Sequence, residues 1–183
     1  MSATPSKTMS RGLMPTHFSQ MARYNQWMNE RLYAACRGLE DAARKRDMGA
    51  FFGSIHRTLN HLLFADRAWM ARFEQRPQTR AGMDGHLYDD FDQLSVERSA
   101  EDAYMVQWAD ALTDEWLALP LEYTSFGDGV TRKRPRSLLV GHLFNHQTHH
   151  RGQITTLLSQ LGIDVGVTDL PAMPVSSESH SDG

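Results

Sequence analysis

The segment from Pro135 to Gly162 has apolar residues at alternating spacings of three and four, which is typical of an amphipathic helix. The stripe consists of Leu139, Leu143, His146, His150, Ile154, Leu157 and Leu161. Two histidines therefore occupy positions that a buried helix face normally gives to apolar side chains. Because residues four apart lie on the same side of a helix, one turn above the other, His146 and His150 can bind one metal ion.

Three earlier segments have the same helical periodicity, and each has its own boundary signals. The first covers residues 14–39; the second opens near Asp47 and stops before Pro77. A capping box of Ser99 and Asp102 is predicted to open the third, which Pro120 ends. Four amphipathic helices bury their apolar faces most simply against one another, so the sequence predicts an all-α protein with a four-helix bundle.

The connections and ends of this bundle are also predicted. A polar connection from Arg76 to Arg98 is too long for an ordinary turn, which argues against a plain up-and-down order of helices. Residues 121–134 contain the turn sequence Gly127-Asp128-Gly129, so we expect a short β-hairpin or an irregular loop before the last helix. We assign residues 13–172 to the bundle and residues 1–12 and 173–183 to flexible tails.

Composition limits the environment and partners of the chain. Its 183 residues suit one domain, and its single cysteine allows neither an intramolecular disulfide nor a Cys-rich zinc module. A formal net charge of -3 gives no electrostatic reason to expect a nucleic-acid partner. No apolar run is long enough to span a bilayer, and residues 1–14 do not resemble a signal peptide. We therefore expect a soluble, cytoplasmic protein that binds no membrane.

The histidine pair has an ordinary interpretation as well as a metal-binding one. A histidine beside an apolar face is usually a hydrogen-bonded core residue, and two histidines four apart are a weak signal by themselves. His142, one turn earlier, adds a third imidazole to that side of the helix. Buried imidazoles need polar partners, which a shared metal would supply. Residue 147 is glutamine, so the HExxH motif of zinc proteases is absent.

Residues 145–153, Asn-His-Gln-Thr-His-His-Arg-Gly-Gln, resemble the HxxHHRGQ signature of the DinB/YfiT-like superfamily. Residues 49–69 resemble the second-helix segment of that family, and residues 24–29 resemble its first helix. Residues 166–171 match its usual ending. The resemblance covers about residues 17–173, and the motifs follow one another in the family's order.

The resemblance implies a four-helix bundle with three histidine ligands, one on the second helix and two on the last. Carried over, the ligands are His61, His146 and His150; His56 is a competing candidate for the second-helix ligand. The implied cofactor is one divalent transition-metal ion. Zinc is the expected ion, but imidazole also suits nickel, iron and copper. Three protein ligands leave a coordination position open, as in catalytic sites.

Several polar residues near these histidines are candidates for the surroundings of the site. Asp66 lies within an apolar row, so we expect it to pair with a ligand histidine or with a cation. The basic run at residues 132–136 is either a solvated loop or a docking site for an anionic substrate. Pocket residues, or residues that orient the ligands, are predicted to be His142, His149, Arg151 and Gln153.

Two functional hypotheses follow. The first is a metal-dependent enzyme with a small-molecule substrate, since characterised relatives include thiol-dependent transferases and isomerases, and others are presumed hydrolases. The sequence shows no obvious general base beside the ligands, which favours activation of a low-molecular-weight thiol over hydrolysis. The second is a non-catalytic, stress-linked metal- or ligand-binding protein. Because relatives often dimerise, a homodimer is a further expectation.

Overall fold

The computed structural model describes residues 12–77 and 85–174. They form a mostly helical protein with one small sheet, so the all-α prediction fits broadly. Residues 1–11 and 175–183 of the predicted tails lie outside the described residues. The elements are α1 (Leu13–Arg37), α2 (Asp41–Lys45), α3 (Ile55–Phe73), α4 (Phe91–Asp110), α5 (Asp114–Ala118), β1 (Pro120–Thr124), β2 (Thr131–Pro135), α6 (Arg136–Gln160) and a 3-10 turn (Leu170–Ala172).

The four long helices pack in pairs. Helix α1 lies against α4 and α6, and α3 lies against the same two helices. The contact between α3 and α6 brings the predicted second-helix ligand next to the two histidines of α6. None of the helices in the described ranges is both long and apolar enough to cross a membrane.

The interior has two apolar clusters with a polar layer between them along each long helix. One cluster contains Phe18, Trp69, Met105 and Leu143, and the other contains Leu32, Leu59, Leu94 and Ile154. The residues between the clusters are polar or charged and buried: Asn25, Asn29, Asp66, Arg98, Asp102, Gln147 and Arg151.

Hydrogen bonds and ion pairs connect the residues of this polar layer. Arg98 pairs with Asp66 at 2.6 Å and with Asp102 at 3.0 Å. Asn29 donates to Asp102 at 2.9 Å. Gln147 donates to Asp66, and Arg151 donates to Asn25. Since α1, α3, α4 and α6 each supply a member, the layer joins all four long helices at one level.

The predicted start and end of the third long helix were wrong. Helix α4 begins at Phe91, after Asp90, whose carboxylate accepts a hydrogen bond from the backbone N–H of Gln93 at 2.7 Å. Ser99 lies inside the helix and donates to the carbonyl of Ser95, so it caps nothing. The helix ends at Asp110, and the separate helix α5 fills the residues before Pro120.

The second long helix begins later than predicted. Ser54 is its N-cap, and its hydroxyl accepts from the N–H of Arg57 at 3.2 Å. The preceding residues form a tight turn in which Gly49 and Gly53 have φ of 71° and 77°, values that favour glycine. Phe52, which a helix opening near Asp47 would include, therefore lies in this turn.

The predicted hairpin is present before α6. Strands β1 and β2 pair antiparallel, with Pro120 opposite Pro135 and Thr124 opposite Thr131. Gly129 in the intervening turn has φ of 68°. The basic run lies in β2 and at the first residue of α6, and within it Arg132 pairs with Asp128.

Candidate metal centre

Three imidazoles from two helices meet at the junction of α3 and α6. The Nε2 atom of His146 lies 3.2 Å from that of His61 and 3.1 Å from that of His150. Potential ligand atoms of the three residues all lie within 4.8 Å of one another. The geometry therefore brings together the three residues predicted as ligands.

These spacings fit coordination of a single ion. Two nitrogens bound to one ion at about 2.0–2.1 Å, with an angle between tetrahedral and right-angled, lie roughly 2.8–3.4 Å apart. The two measured separations from His146, 3.1 and 3.2 Å, fall within that range. One ion could therefore bind His146 together with either neighbour, and since the ligand atoms of the three residues lie within 4.8 Å of one another, rotation of side chains would bring the third into reach.

The hydrogen bonds around the imidazoles leave the inward nitrogens free for an ion. Nδ1 of His150 lies 2.8 Å from Oε1 of Gln153, so Nδ1 carries the proton and Nε2 presents its lone pair. Nδ1 of His146 is buried, with no hydrogen-bond partner in the described part of the chain. Nε2 of His146 faces two other Nε2 atoms and can share a proton with only one of them. A cation bound between the three Nε2 atoms would accept all three lone pairs at once.

Burial keeps the three imidazoles neutral, which is the form that binds a metal. It lowers the pKa of His61 to about 4, with a contribution from the neighbouring His150. It also lowers the pKa of His146 to about 3, and the other histidines act in the same direction. The pKa of His150 is lowered by burial too, against the effect of its bond to Gln153.

Phe52 covers one side of this group. Its ring stacks on the ring of His61 at a centroid distance of 3.9 Å and lies 5.4 Å from the ring of His150. The tight turn before α3 positions it, through backbone bonds from Met48 to Gly53 and from Gly53 to Ala50, each of 2.8 Å. The helical periodicity of the sequence gives no sign of this contact, because a helix that opens near Asp47 would include Phe52.

His56, the competing candidate, lies apart from the three histidines. It is buried, its Nε2 lies 2.9 Å from the carbonyl oxygen of Tyr88, and its ring neighbours that of His86. The arrangement therefore favours His61 over His56 as the third ligand.

The two flanking histidines take different positions. His142 packs edge-on against Trp69 at 5.2 Å, and its ring is 5.9 Å from that of His146. His149 is exposed and lies beside His150 at 4.8 Å. Gln153 lies between these two α6 histidines, with its amide nitrogen 3.4 Å from Nε2 of His149.

Asp66 and Arg151 belong to the buried polar layer. Of the two predicted alternatives for Asp66, the structure has the ion pair, with Arg98. Burial raises the pKa of the Asp66 carboxyl, and Arg98 opposes that rise. Arg151 donates to Asn25 on α1, so it connects helices rather than contacting the three histidines.

A cavity of about 520 Å³ adjoins the histidine group, and we call it the aromatic cavity. His61 and His146 form part of its wall, and Ala65, Ala68 and Arg72 continue that wall along α3. Its volume lies in the range that accommodates small organic ligands. Most of the remaining wall is aromatic and comes from Phe51, Phe52, Phe64, Trp69, Tyr123, Phe126 and His142.

Comparison with known proteins agrees with the motif at residues 145–153. Residues 14–180 match the DinB family. The chain belongs to the DinB family. It is also 24% identical over 159 residues to protein DinB of Bacillus subtilis (strain 168), a similarity that covers 82% of this chain and 89% of that protein. The family predicted from the motifs is confirmed, and the three-histidine group of this DinB-family chain is compatible with metal binding.

Proposed function

We propose that this DinB-family protein holds one divalent transition-metal ion on His61, His146 and His150 and uses it to activate a low-molecular-weight thiol or water. The convergence of three Nε2 atoms, with separations of 3.1 and 3.2 Å, is the observation that carries the proposal. We further propose that α1, α3, α4 and α6 form the four-helix bundle of the family.

The position of the aromatic cavity supports an enzymatic role. Three protein ligands leave room in the coordination sphere, and His61 and His146 line the cavity in which a small-molecule substrate would bind. A divalent ion held there would supply Lewis acidity, which lowers the pKa of a thiol or of water.

The surrounding side chains favour a thiol over water as the nucleophile. In the described ranges no carboxylate joins the three histidines, and Asp66 is held in its ion pair with Arg98. A thiol with a pKa near ~8.5 needs much less assistance than water, whose pKa is about 15.7. A site without an adjacent carboxylate base therefore suits thiol activation better.

The chain's own residues prepare the site in three ways. Gln153 holds the His150 ring with Nε2 directed inward. Phe52 shields the His61 ring from water. His142, whose pKa burial lowers, presents a neutral imidazole to the cavity and can accept a proton from a bound thiol. Zinc is the proposed ion, with nickel and iron as alternatives. Homodimer formation stays a prediction.

The test uses protein purified without a histidine tag. Elemental analysis should give one transition-metal ion per chain, and the His146→Ala variant should lose it. The loaded wild type should accelerate conjugation of cysteine to chlorodinitrobenzene and other electrophiles, and chelation should remove the acceleration. His56→Ala is the matched control.

Each result separates the hypotheses. Hydrolysis of nitrophenyl esters without thiol conjugation would favour water as the nucleophile. Metal binding with neither reaction would favour a binding protein without catalysis. A wild type that binds no transition metal would contradict the proposal.

A further inference from the structure

Arg72 is a buried cation without a carboxylate partner. Its side chain lies on α3, the residue is 8% exposed, and Nε has no hydrogen-bond partner. One terminal nitrogen donates to the carbonyl of Thr124 at 3.3 Å. Among residues 12–77 and 85–174, no carboxylate forms an ion pair with it. Burial of an unpaired charge is unfavourable, so an anion is expected to complete this site.

The buried arginine of α4 shows the contrast. Arg98 has carboxylates of Asp66 and Asp102 at 2.6 and 3.0 Å. Arg132, which lines the aromatic cavity as Arg72 does, is paired with Asp128 through bonds of 2.9 and 2.5 Å. The charge of Arg72 is the one in this cavity wall that the described residues leave uncompensated.

Aromatic rings hold the Arg72 guanidinium in place. Its central carbon lies 4.6 Å from the ring centre of Trp69 and 4.4 Å from that of Phe126. Contact with ring faces stabilises the cation without using its N–H groups. Because a guanidinium stacked in this way keeps its edge for hydrogen bonds, it can bind a carboxylate through two of them.

Arg72 and His61 lie on the same face of α3. The row His61, Ala65, Ala68, Arg72 has spacings of four, three and four, and all four residues line the aromatic cavity. At 1.5 Å per residue, the Cα atoms of His61 and Arg72 are about 16 Å apart along the helix. The two alanines between them leave space for a ligand, since they fill little of the cavity.

We propose that the aromatic cavity binds an elongated organic anion. Its carboxylate pairs with Arg72, its apolar or aromatic middle lies over Ala65 and Ala68, and its far end carries the thiol that reaches the three histidines. The thiol end of this assignment rests on the proposed function. The carboxylate end rests on Arg72 alone.

Calorimetry with the zinc-loaded protein tests the proposal. The probes are mercaptoacetate, mercaptohexanoate and mercaptoundecanoate, with mercaptohexanol and mercaptoundecanol as neutral counterparts. We expect one of the longer acids to bind at least about tenfold more tightly than its alcohol, since a charge-assisted hydrogen bond forms only with the acid. Equal affinities of acid and alcohol at both lengths would overturn the proposal.

Two variants locate the anion-binding end. Arg72→Met should reduce the affinity of the longer acid to that of the alcohol, while Arg67→Met, a control on the same helix at a residue that does not line the cavity, should leave it unchanged. Because Arg72 also bonds to Thr124, thermal unfolding checks that the variant is folded. Ala68→Leu blocks the cavity between its two ends while Arg72 itself is kept, so it should weaken the binding of mercaptoundecanoate and spare that of mercaptoacetate. An unchanged affinity of the longer acid in both Arg72→Met and Ala68→Leu would contradict the proposal.

A metal-free arm separates this inference from the proposed function. Undecanoate, which has no thiol, should bind the metal-free wild type and should bind Arg72→Met at least about tenfold more weakly. If the protein binds no transition metal but shows this dependence on Arg72, the proposed function fails and the anion site stands. If it binds zinc but neither undecanoate nor the acids depend on Arg72, the anion site fails alone.

Discussion

His150 and Gln153 lie three residues apart on α6, and their side chains meet at 2.8 Å. That contact holds the ring in the tautomer whose Nε2 faces His146. A free imidazole would rotate and exchange tautomers, so binding an ion would first have to fix it. The glutamine of the family signature thus has a physical role that its position in the sequence alone does not show.

Replacement of Gln153 tests this role. We expect Gln153→Ala to weaken zinc binding by about 10–100-fold, the usual effect of removing a hydrogen bond to a ligand imidazole. Competition with a chromophoric chelator measures the affinity. Gln160→Ala, at the exposed end of the same helix, is the control. Equal zinc affinities in the two variants would show that Gln153 does not orient the ligand.

The third ligand is tested by a pair of histidines on α3. His61→Ala should weaken zinc binding by orders of magnitude because it removes one of three ligands. His56→Ala should leave zinc binding unchanged but destabilise the fold by about 1–3 kcal/mol, since it removes a buried side chain and one of the two hydrogen bonds to the carbonyl of Tyr88, which keeps its bond from Asn60. Zinc affinity and urea unfolding of both variants distinguish the two effects. The reverse pattern of zinc affinity would place the site at His56.

At the scale of elements, the ends of the long helices were harder to predict than their apolar faces. Helix α6 was predicted nearly in full because its stripe is continuous. The start of α4 was misplaced because Ser99 and Asp102 match the spacing of a capping box, while the true cap, Asp90, precedes an ordinary polar stretch. Arg98 was read as part of a loop, yet it is 2% exposed. Its burial depends on Asp66, a partner 32 residues earlier, and local patterns carry no information about such a pair.

Within the site, too, some features could be predicted from the sequence and others could not. Two ligands were predicted from spacing along one helix, and the third came from the family resemblance. Arg72 could have been suggested by its distance of eleven residues from His61, which returns to the same helix face. The sequence could not have suggested that Arg72 lacks a carboxylate partner, because the surroundings of Arg72 depend on how the hairpin packs over α3.

The two buried ion pairs of Arg98, one with Asp66 on α3 and one with Asp102 on its own helix, give the third prediction. Arg98→Met should destabilise the protein by about 3–5 kcal/mol, since it leaves Asp66 and Asp102 buried without their cation. The control is Arg67→Met. The Arg67 side chain also links α3 to α4, through Glu97 and Glu101, but it is 25% exposed. It should cost about 1 kcal/mol or less. Urea unfolding measures both, and similar losses would argue against a special role of the buried pair.

At the scale of the whole molecule, the candidate site lies beside the buried polar layer that joins all four long helices. Asp66 follows His61 by five residues, and Gln147 and Arg151 each adjoin a ligand histidine in sequence. The polar layer therefore holds α3 and α6 at a fixed register, and this register sets the separations between their imidazoles. Apolar packing alone tolerates small shifts between helices, but a ligand set from two helices does not.

The last prediction concerns stability against pH in the metal-free protein. Burial lowers the pKa of His146 to about 3 in the folded state, whereas an unfolded chain binds that proton near pH ~6.5. As the pH falls below 6.5, the unfolded state takes up a proton that the folded state does not. The free energy of unfolding must therefore decrease with falling pH, by at most about 1.4 kcal/mol per pH unit for this residue. His146→Ala removes that contribution, so its stability should fall less steeply between pH 7 and pH 5 than that of the wild type.

His17→Ala, at an exposed position of α1, is the control and should keep the wild-type slope. Urea unfolding of chelator-treated protein across this range gives the slopes. Identical slopes for wild type and His146→Ala would mean that the imidazole titrates as it does in water, and the buried three-histidine group would then be wrong.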